Sequence, residues 1–306
     1  MERSLVDTVL TSDRIHVSPI GGQSTLFDFC CMGRLTVAET LGFKTEQATE
    51  LLRVVTPGQL SDGKHPDTRA FWADDERVRA ELQSLAWLKG VHDDGGGEES
   101  QVPFHGGGCF GPLTLVSDIL GADRLLRMVL KEPKQVEALL DYVTEFLVFL
   151  AMQEAAAGQD LFWIAEPVAS LLAPKKLWDF CGKWIHQIYE AAEAPGVLHV
   201  CGKTDRHTEG LLQAGACVLS IDYLTDMPRC LKETTEKALV MGNISPMLMR
   251  DEGAEAVRRA TDVLLDQCSP FPNFILGTGC AMIHETPEEN VQVLFDEAAK
   301  RRKATI

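Results

Sequence analysis

From about residue 135 the chain alternates between two hydrophobic patterns. Short, almost unbroken apolar runs are separated by longer stretches in which apolar residues recur at helical spacing. Runs of the first kind read as strands buried on both faces, and the longer stretches as helices with one buried face. "EPKQVEALLDYVTEFLVFLAMQEAAAG" predicts a long helix, with Pro133 near its start and Gly158 at its end. "DLFWIAEP" predicts a strand stopped by Pro167. A helix over "APKKLWDFCGKWIHQIYEAAEA" and a strand over "GVLHVCG" follow, then a helix over "DRHTEGLLQAG" and a strand over "CVLSIDY". "MPRCLKETTE" and "DEGAEAVRRATDVLLDQC" predict two further helices, and "ALVMGNI" and "NFILGTGC" the strands that go with them. "PEENVQVLFDEAAKR" is the last helix, and Thr286, Pro287 and Glu289 predict a capping box at its start. Five apolar strands, each followed by a helix, imply a parallel sheet covered by helices.

Either a (β/α)8 barrel or an open doubly wound sheet fits this alternation. No G-x-G-x-x-G follows an early strand, which speaks against the nucleotide-binding version. Earlier in the chain the pattern is weaker. "RIHVSPIGG" predicts a first strand with its loop, and "VPFHGGGCFGPLTLVSDILG" a strand entering a glycine-rich turn and then a helix. Residues 44–101 are polar and irregular and end in "DDGGGEES", a loop signal. That makes seven strands, with an eighth to be sought near "LLRVV" or "WLKGV". The expected organisation is one barrel-sized domain over residues 1–306, of which 1–100 form an irregular N-terminal portion.

Composition narrows the partners. A net charge of −16 argues against nucleic acid, whose phosphates call for clustered Lys and Arg. No apolar run approaches the roughly 20 residues of a membrane helix, and the start carries no signal-peptide pattern. Nine scattered cysteines form no disulfide framework, so reduced thiols in a cytoplasmic setting are expected, most of them as plain buried hydrophobes.

Two of those thiols stand apart. In "GVLHVCGKTD", His199 and Cys201 lie one residue apart at the end of a predicted strand, so their side chains point the same way. Cys280 sits just past the last predicted strand, between Gly279 and Ala281. Strand C-terminal ends are where barrel enzymes keep their chemistry. One imidazole and two thiolates suit zinc, and three protein ligands leave a fourth position for substrate. The plainer reading is a buried strand-end histidine beside a structural cysteine.

Taken together, "FGPLTLVSDILG", "AAAGQDLFWIAEPVAS", "LLAPKKLWDF", "LHVCGKT", "LSIDYLTDM", "GNISPMLMRDEG" and "GTGCAMIHETPEENVQVLFDEAAKR" resemble the uroporphyrinogen decarboxylase superfamily. Within it they are most similar to the zinc-dependent, corrinoid-linked methyltransferases of the methylcobamide:coenzyme M type. The stretches run in the expected order from about residue 103 to the C-terminus. The resemblance implies a (β/α)8 TIM barrel, reduced or irregular in its N-terminal part, with Zn2+ held by His199, Cys201 and Cys280. It implies a methyl group moved between a corrinoid (methylcobalamin, or cobalamin carried by a partner corrinoid protein) and a thiol acceptor such as coenzyme M. The thiol, ionised on the metal, would attack the methyl carbon.

The superfamily's decarboxylases carry an arginine-rich R-Q-A-G-R segment for tetrapyrrole carboxylates and a histidine where Cys280 stands. This chain has "SPIGGQSTLFDF", with no arginine between Arg14 and Arg34. Decarboxylation is therefore the alternative, along with methyl transfer in the opposite sense, from a small methyl donor to the corrinoid, and a non-catalytic corrinoid-partner or metal-storage role. Glu166 and Asp222, at strand ends, are further candidates for metal or substrate. Asp222 matches the acidic ligand of cobalamin-independent methionine synthases, which also use a zinc H-x-C site. Their plainer roles are capping and loop structure. Asn243 and His105 are candidate substrate-pocket residues; Cys109, Cys217, Cys268, His207 and His284 read as structural.

Overall fold

The computed structural model describes residues 106–302, together with residue 10, residues 13–18 and helical residues at 78–79, 82–83 and 85–86. The elements follow the predicted alternation. First come β1 (His16–Ser18), β2 (Gly106–Phe110), α1 (Pro112–Leu120), α2 (Ala122–Lys131), α3 (Pro133–Ala157), β3 (Leu161–Ala165) and α4 (Lys183–Ala192). Then come β4 (Gly196–Val200), α5 (Thr208–Gln213), β5 (Val218–Ile221), α6 (Met227–Thr234), β6 (Leu239–Ile244), α7 (Pro246–Asp251), α8 (Ala254–Cys268), β7 (Phe274–Thr278) and α9 (Glu288–Ala299). They fall into two compact units, residues 23–196 and residues 1–22 with 197–306. Within each unit the strand pairs are parallel, and β2 to β7 each lead into helices, the β/α order of the TIM-barrel class. The expected eighth strand, near "LLRVV" or "WLKGV", lies outside the described residues, as does the 87–105 stretch with His105. No helix among the described residues is long and apolar enough to cross a membrane.

In the unit of residues 23–196, "GGGC" is not the glycine-rich turn that its composition suggests; it is strand β2 itself, paired with β3 from Gly106↔Leu161 to Phe110↔Ala165. The reason is space. A Cβ on Gly106 or Gly108 would overlap the backbone of Leu161 or Trp163, and one on Gly107 would overlap the Glu154 carboxylate on α3. The segment read as one helix from 173 to 194 is instead a 3-10 turn (Pro174–Lys176), a π-helical turn (Trp178–Gly182) and then α4. The wider π turn inserts an extra residue. Beyond it Trp184 is buried, and its indole N–H donates to Asp141 at 2.8 Å. Helix α3 begins and ends as predicted, with Pro133 in its first turn and Gly158 in the left-handed region at its C-cap.

In the second unit the strand order is β1-β7-β6-β5-β4. Asp226 caps α6 by accepting from Arg229 N–H, and Ser245 caps α7 by accepting from Leu248 N–H. Helix α7 was not evident from the sequence; Asn290 closes it by donating to the carbonyls of Met249 and Glu252. The predicted capping box of α9 is absent. The helix starts at Glu288 with Pro287 in the cap position, one residue later than the box requires, and no side chain caps it.

Glu166 follows β3 and is wholly buried. Its carboxylate accepts from the N–H groups of Leu113 (3.0 Å) and Thr114 (2.8 Å) and from the Thr114 hydroxyl, so it caps α1 from outside. Gly111 at the N-cap has no side chain for the task, and a Cβ there would overlap Glu166. Burial pushes the carboxyl up to about 7, against the three hydrogen bonds that pull the other way. The folded chain therefore holds a proton that the unfolded chain releases above pH 4.5. This contribution to stability is complete below pH 4.5 and is lost as pH rises through about 7. Denaturant titrations across that window should show wild type losing stability relative to Glu166→Gln, which has no proton to release. Parallel pH profiles for the two proteins would contradict the assignment.

Candidate metal centre

The unit of residues 1–22 and 197–306 brings three donors together. His199 is on β4, Cys201 is the first residue past it, and Cys280 is the second residue past β7. The alternation that puts His199 and Cys201 on one face also brings His199 Nε2 within 3.2 Å of Cys201 Sγ. Cys201 Sγ is 3.4 Å from Cys280 Sγ, and all three donor atoms lie within 4.8 Å of one another. Among the described residues no other group of three such side chains converges in this way. Strands β4 and β7 are separated by β5 and β6. On a flat sheet three interstrand steps would hold their ends about 14 Å apart. The observed contact therefore requires this part of the sheet to curl around the site.

The donor set fits a zinc ion. Tetrahedral coordination with Zn–S near 2.3 Å and Zn–N near 2.0–2.1 Å puts neighbouring donors about 3.5–3.8 Å apart. The observed 3.2 and 3.4 Å need expand by only a few tenths of an ångström. Both cysteines are free and partly buried, and His199 is buried. The two sulfurs are within hydrogen-bonding distance of each other. The hydrogen bond from Cys201, then the one from His199 and the histidine's charge, hold Cys280 below the usual thiol range. Cys201, which supplies that bond, is pushed well above the usual thiol range by it, by burial, and by the nearby charges of Cys280 and Asp222.

A residue that the sequence analysis did not single out completes the centre. Ser220 on β5 stands in register with His199 on β4, and its Oγ is 2.9 Å from His199 Nδ1. Ser220 is fully buried. A neutral imidazole that donates Nδ1–H to that hydroxyl would present its Nε2 lone pair to a metal. A polar residue within the apolar "CVLSIDY" run was the available signal.

The other candidates fall in different places. Asp222 is buried near Cys201 but outside the three-donor group; its Oδ1 accepts from Leu224 N–H at 2.9 Å. The Asn243 amide is committed to the chain, donating to the carbonyls of Asp222 (3.0 Å) and Thr225 (2.8 Å). Glu166 belongs to the other unit, where it caps α1. His105 lies outside the described residues. Cys109 and Cys268 are buried.

The uroporphyrinogen decarboxylase (URO-D) family model matches residues 96–301. Methylcobamide:CoM methyltransferase MtaA of Methanosarcina barkeri is 28% identical over 192 residues, which cover 61% of this chain and 56% of that protein. Uroporphyrinogen decarboxylase of Anaeromyxobacter dehalogenans is 28% identical over 193 residues, covering 61% of this chain and 55% of the relative. The chain thus spans little more than half the length of these curated relatives. A solved methyltransferase from Methanosarcina mazei shares the fold, with a TM-score of 0.70 at 17% identity over 97% of this chain and 99% of that one. The matched relatives are enzymes, some named as methyltransferases and others as decarboxylases. The chain belongs to the uroporphyrinogen decarboxylase (URO-D) family.

Proposed function

We propose that the chain is a zinc-dependent methyltransferase that moves a methyl group between a corrinoid, carried by a partner corrinoid protein, and a thiol such as coenzyme M. The observation that carries this reading is the convergence of His199, Cys201 and Cys280 within 4.8 Å at the C-terminal ends of β4 and β7. Bound zinc would supply the positive charge that keeps an incoming thiol deprotonated near neutral pH and still nucleophilic. The protein's own part is placement. His199 offers Nε2 because Ser220 engages Nδ1, and Cys201 and Cys280 offer sulfurs already near ligand spacing. Two cysteinates leave a net charge near zero at the centre, so the substrate sulfur keeps electron density for attack. Alignment of the thiol sulfur with the methyl carbon is then the main demand, and proximity of this kind can supply about 7–11 kcal/mol. The decarboxylase alternative has no use for two thiols and an imidazole at the rim, since holding a carboxylated substrate takes cations.

Two measurements test the reading. Mixed with methylcobalamin and coenzyme M, the zinc-loaded protein should produce cob(I)alamin absorbance. Chelation, Cys201→Ser and Cys280→Ser should each abolish that signal and the stoichiometric zinc while the fold persists. Full zinc occupancy with no methyl transfer to or from any thiol tested would leave only a binding role. Ser220→Ala keeps all three ligands but releases Nδ1, so zinc affinity measured by chelator competition should fall about 10-fold or more. Unchanged affinity would make the serine a bystander.

A further inference from the structure

The three loops that follow β4, β5 and β7 lean on one another at the metal rim, and the middle one touches both of the others. Its turn, residues 222–225, is closed by Thr225 N–H donating to the Asp222 carbonyl at 3.0 Å. Toward Cys201, the Thr225 hydroxyl donates to the Gly202 carbonyl (3.2 Å) and accepts from Thr204 N–H (3.0 Å), with the Thr204 hydroxyl a further 3.0 Å contact. Thr204 and Thr225 are both buried. Toward Cys280, the backbone of Tyr223 lies so close to Gly279 that a Cβ on the glycine would overlap Tyr223 N, Cα and Cβ. One turn thus abuts the residue after one ligand and the residue before the other.

The turn is itself pinned from below. Asn243, on β6, donates one amide group to the carbonyls at both ends of the turn, Asp222 and Thr225. The neighbouring Ile244 carbonyl accepts from Gly279 N–H at 2.7 Å, which ties the Cys280 loop to the same strand end. The contacts run Asn243 to the 222–225 turn, from the turn to Gly202 and Thr204 on one side, and to Gly279 on the other. We propose that the 222–225 turn is the positioning element that sets the separation of the Cys201 and Cys280 sulfurs, with Asn243 as its anchor. Asn243 and Thr225 are positioning residues, acting on the ligands through the backbone. The proposal rests on the metal-centre reading, and one of its tests needs no metal.

A matched control separates positioning from plain stability. Asn290 makes the same kind of contact, donating to the carbonyls of Met249 and Glu252 at 2.7 and 2.8 Å, at the C-terminal end of α7 and not to the 222–225 turn. Zinc affinity by chelator competition, and the absorption spectrum of the cobalt(II)-substituted protein, are compared for wild type, Asn243→Ala, Thr225→Val and Asn290→Ala. Asn243→Ala and Thr225→Val should weaken metal binding about 10- to 100-fold and alter the cobalt spectrum, the range seen when outer-shell partners of ligands are removed. Asn290→Ala should lose similar thermal stability and keep wild-type affinity and spectrum. Should Asn243→Ala fail to fold, Thr225→Val decides the matter.

A metal-independent readout accompanies this. In chelated protein, diamide oxidises the two thiols to a Cys201–Cys280 disulfide; two protons and two electrons pass to diamide, which becomes the hydrazine. Closure should be several-fold slower in Asn243→Ala and Thr225→Val than in wild type or Asn290→Ala. Wild-type affinity and closure rate in both rim variants would overturn the proposal, as would equal losses in Asn290→Ala. A wild-type protein that takes no metal would sink the functional reading, and the closure rates would still decide this one.

Discussion

The contact between the sulfurs of Cys201 and Cys280 is the constraint around which this part of the molecule is arranged. Two strands intervene between β4 and β7, and a flat sheet would hold their ends too far apart for sulfurs just beyond them to approach to 3.4 Å. The strands must curl, and the loops beyond them must turn inward over the concave side. The glycines flanking the ligands serve that turn. Gly202 follows Cys201 with φ of 86°, a left-handed conformation that costs other residues energy. Gly279 precedes Cys280 and admits the Tyr223 backbone where a side chain would not fit. The centre therefore depends on residues that carry no chemistry of their own.

A related economy governs the buried polar groups. Ser220 sits inside an apolar strand, and its hydroxyl meets the one ring nitrogen that the ligand set leaves over. Glu166, fully buried, takes the place of the missing side-chain cap at Gly111 and satisfies the first donors of α1. Asn243 spends its amide on two carbonyls of a turn that has no strand partner. In each case a buried side chain supplies a hydrogen-bond partner to a backbone or ring group; leaving a buried polar group with no partner at all costs about 1–3 kcal/mol.

Much of this was legible in the sequence where a period or a spacing carried it. The strands from β3 to β7 announce themselves as apolar runs, and in β4, β5 and β7 every residue is buried. His199 and Cys201 share a face because strand alternation leaves no other arrangement, and Cys280 could be placed at a strand end by pattern alone. What escaped depended on tertiary neighbours. Three consecutive glycines read as a turn, and only the crowding by Leu161, Trp163 and Glu154 explains why they form a strand. The capping signal at Thr286 was chemically sound but one residue out of phase with where α9 begins. Ser220 is visible in the sequence only as a polar residue in an apolar run; the cross-strand register that sets it beside His199 has no signature there. Asn243 and Glu166 had two roles each in prospect, and only their hydrogen-bond partners distinguish them.

Among the described residues three donors converge, and on the proposed reading that number fixes the kind of centre. Structural zinc sites are closed by four protein ligands and repay the chain in folding energy; three ligands repay less and keep one position for a substrate. An arrangement of that kind faces a difficulty, since two thiols held this close without a fourth partner tend to satisfy each other. The close approach of the Cys201 and Cys280 sulfurs is that tendency at work. Donors must be near enough to capture an ion yet restrained from collapsing further. Flexible loops would fail the second requirement. A rim in which Thr225 holds the Gly202 side, Tyr223 backs Gly279, and Asn243 fixes the turn between them meets both, because the backbone beside either cysteine cannot shift far without disturbing buried hydrogen bonds or a close backbone contact. On this reading the reactivity of the centre is set as much by the uncharged turn beside it as by the three donors themselves.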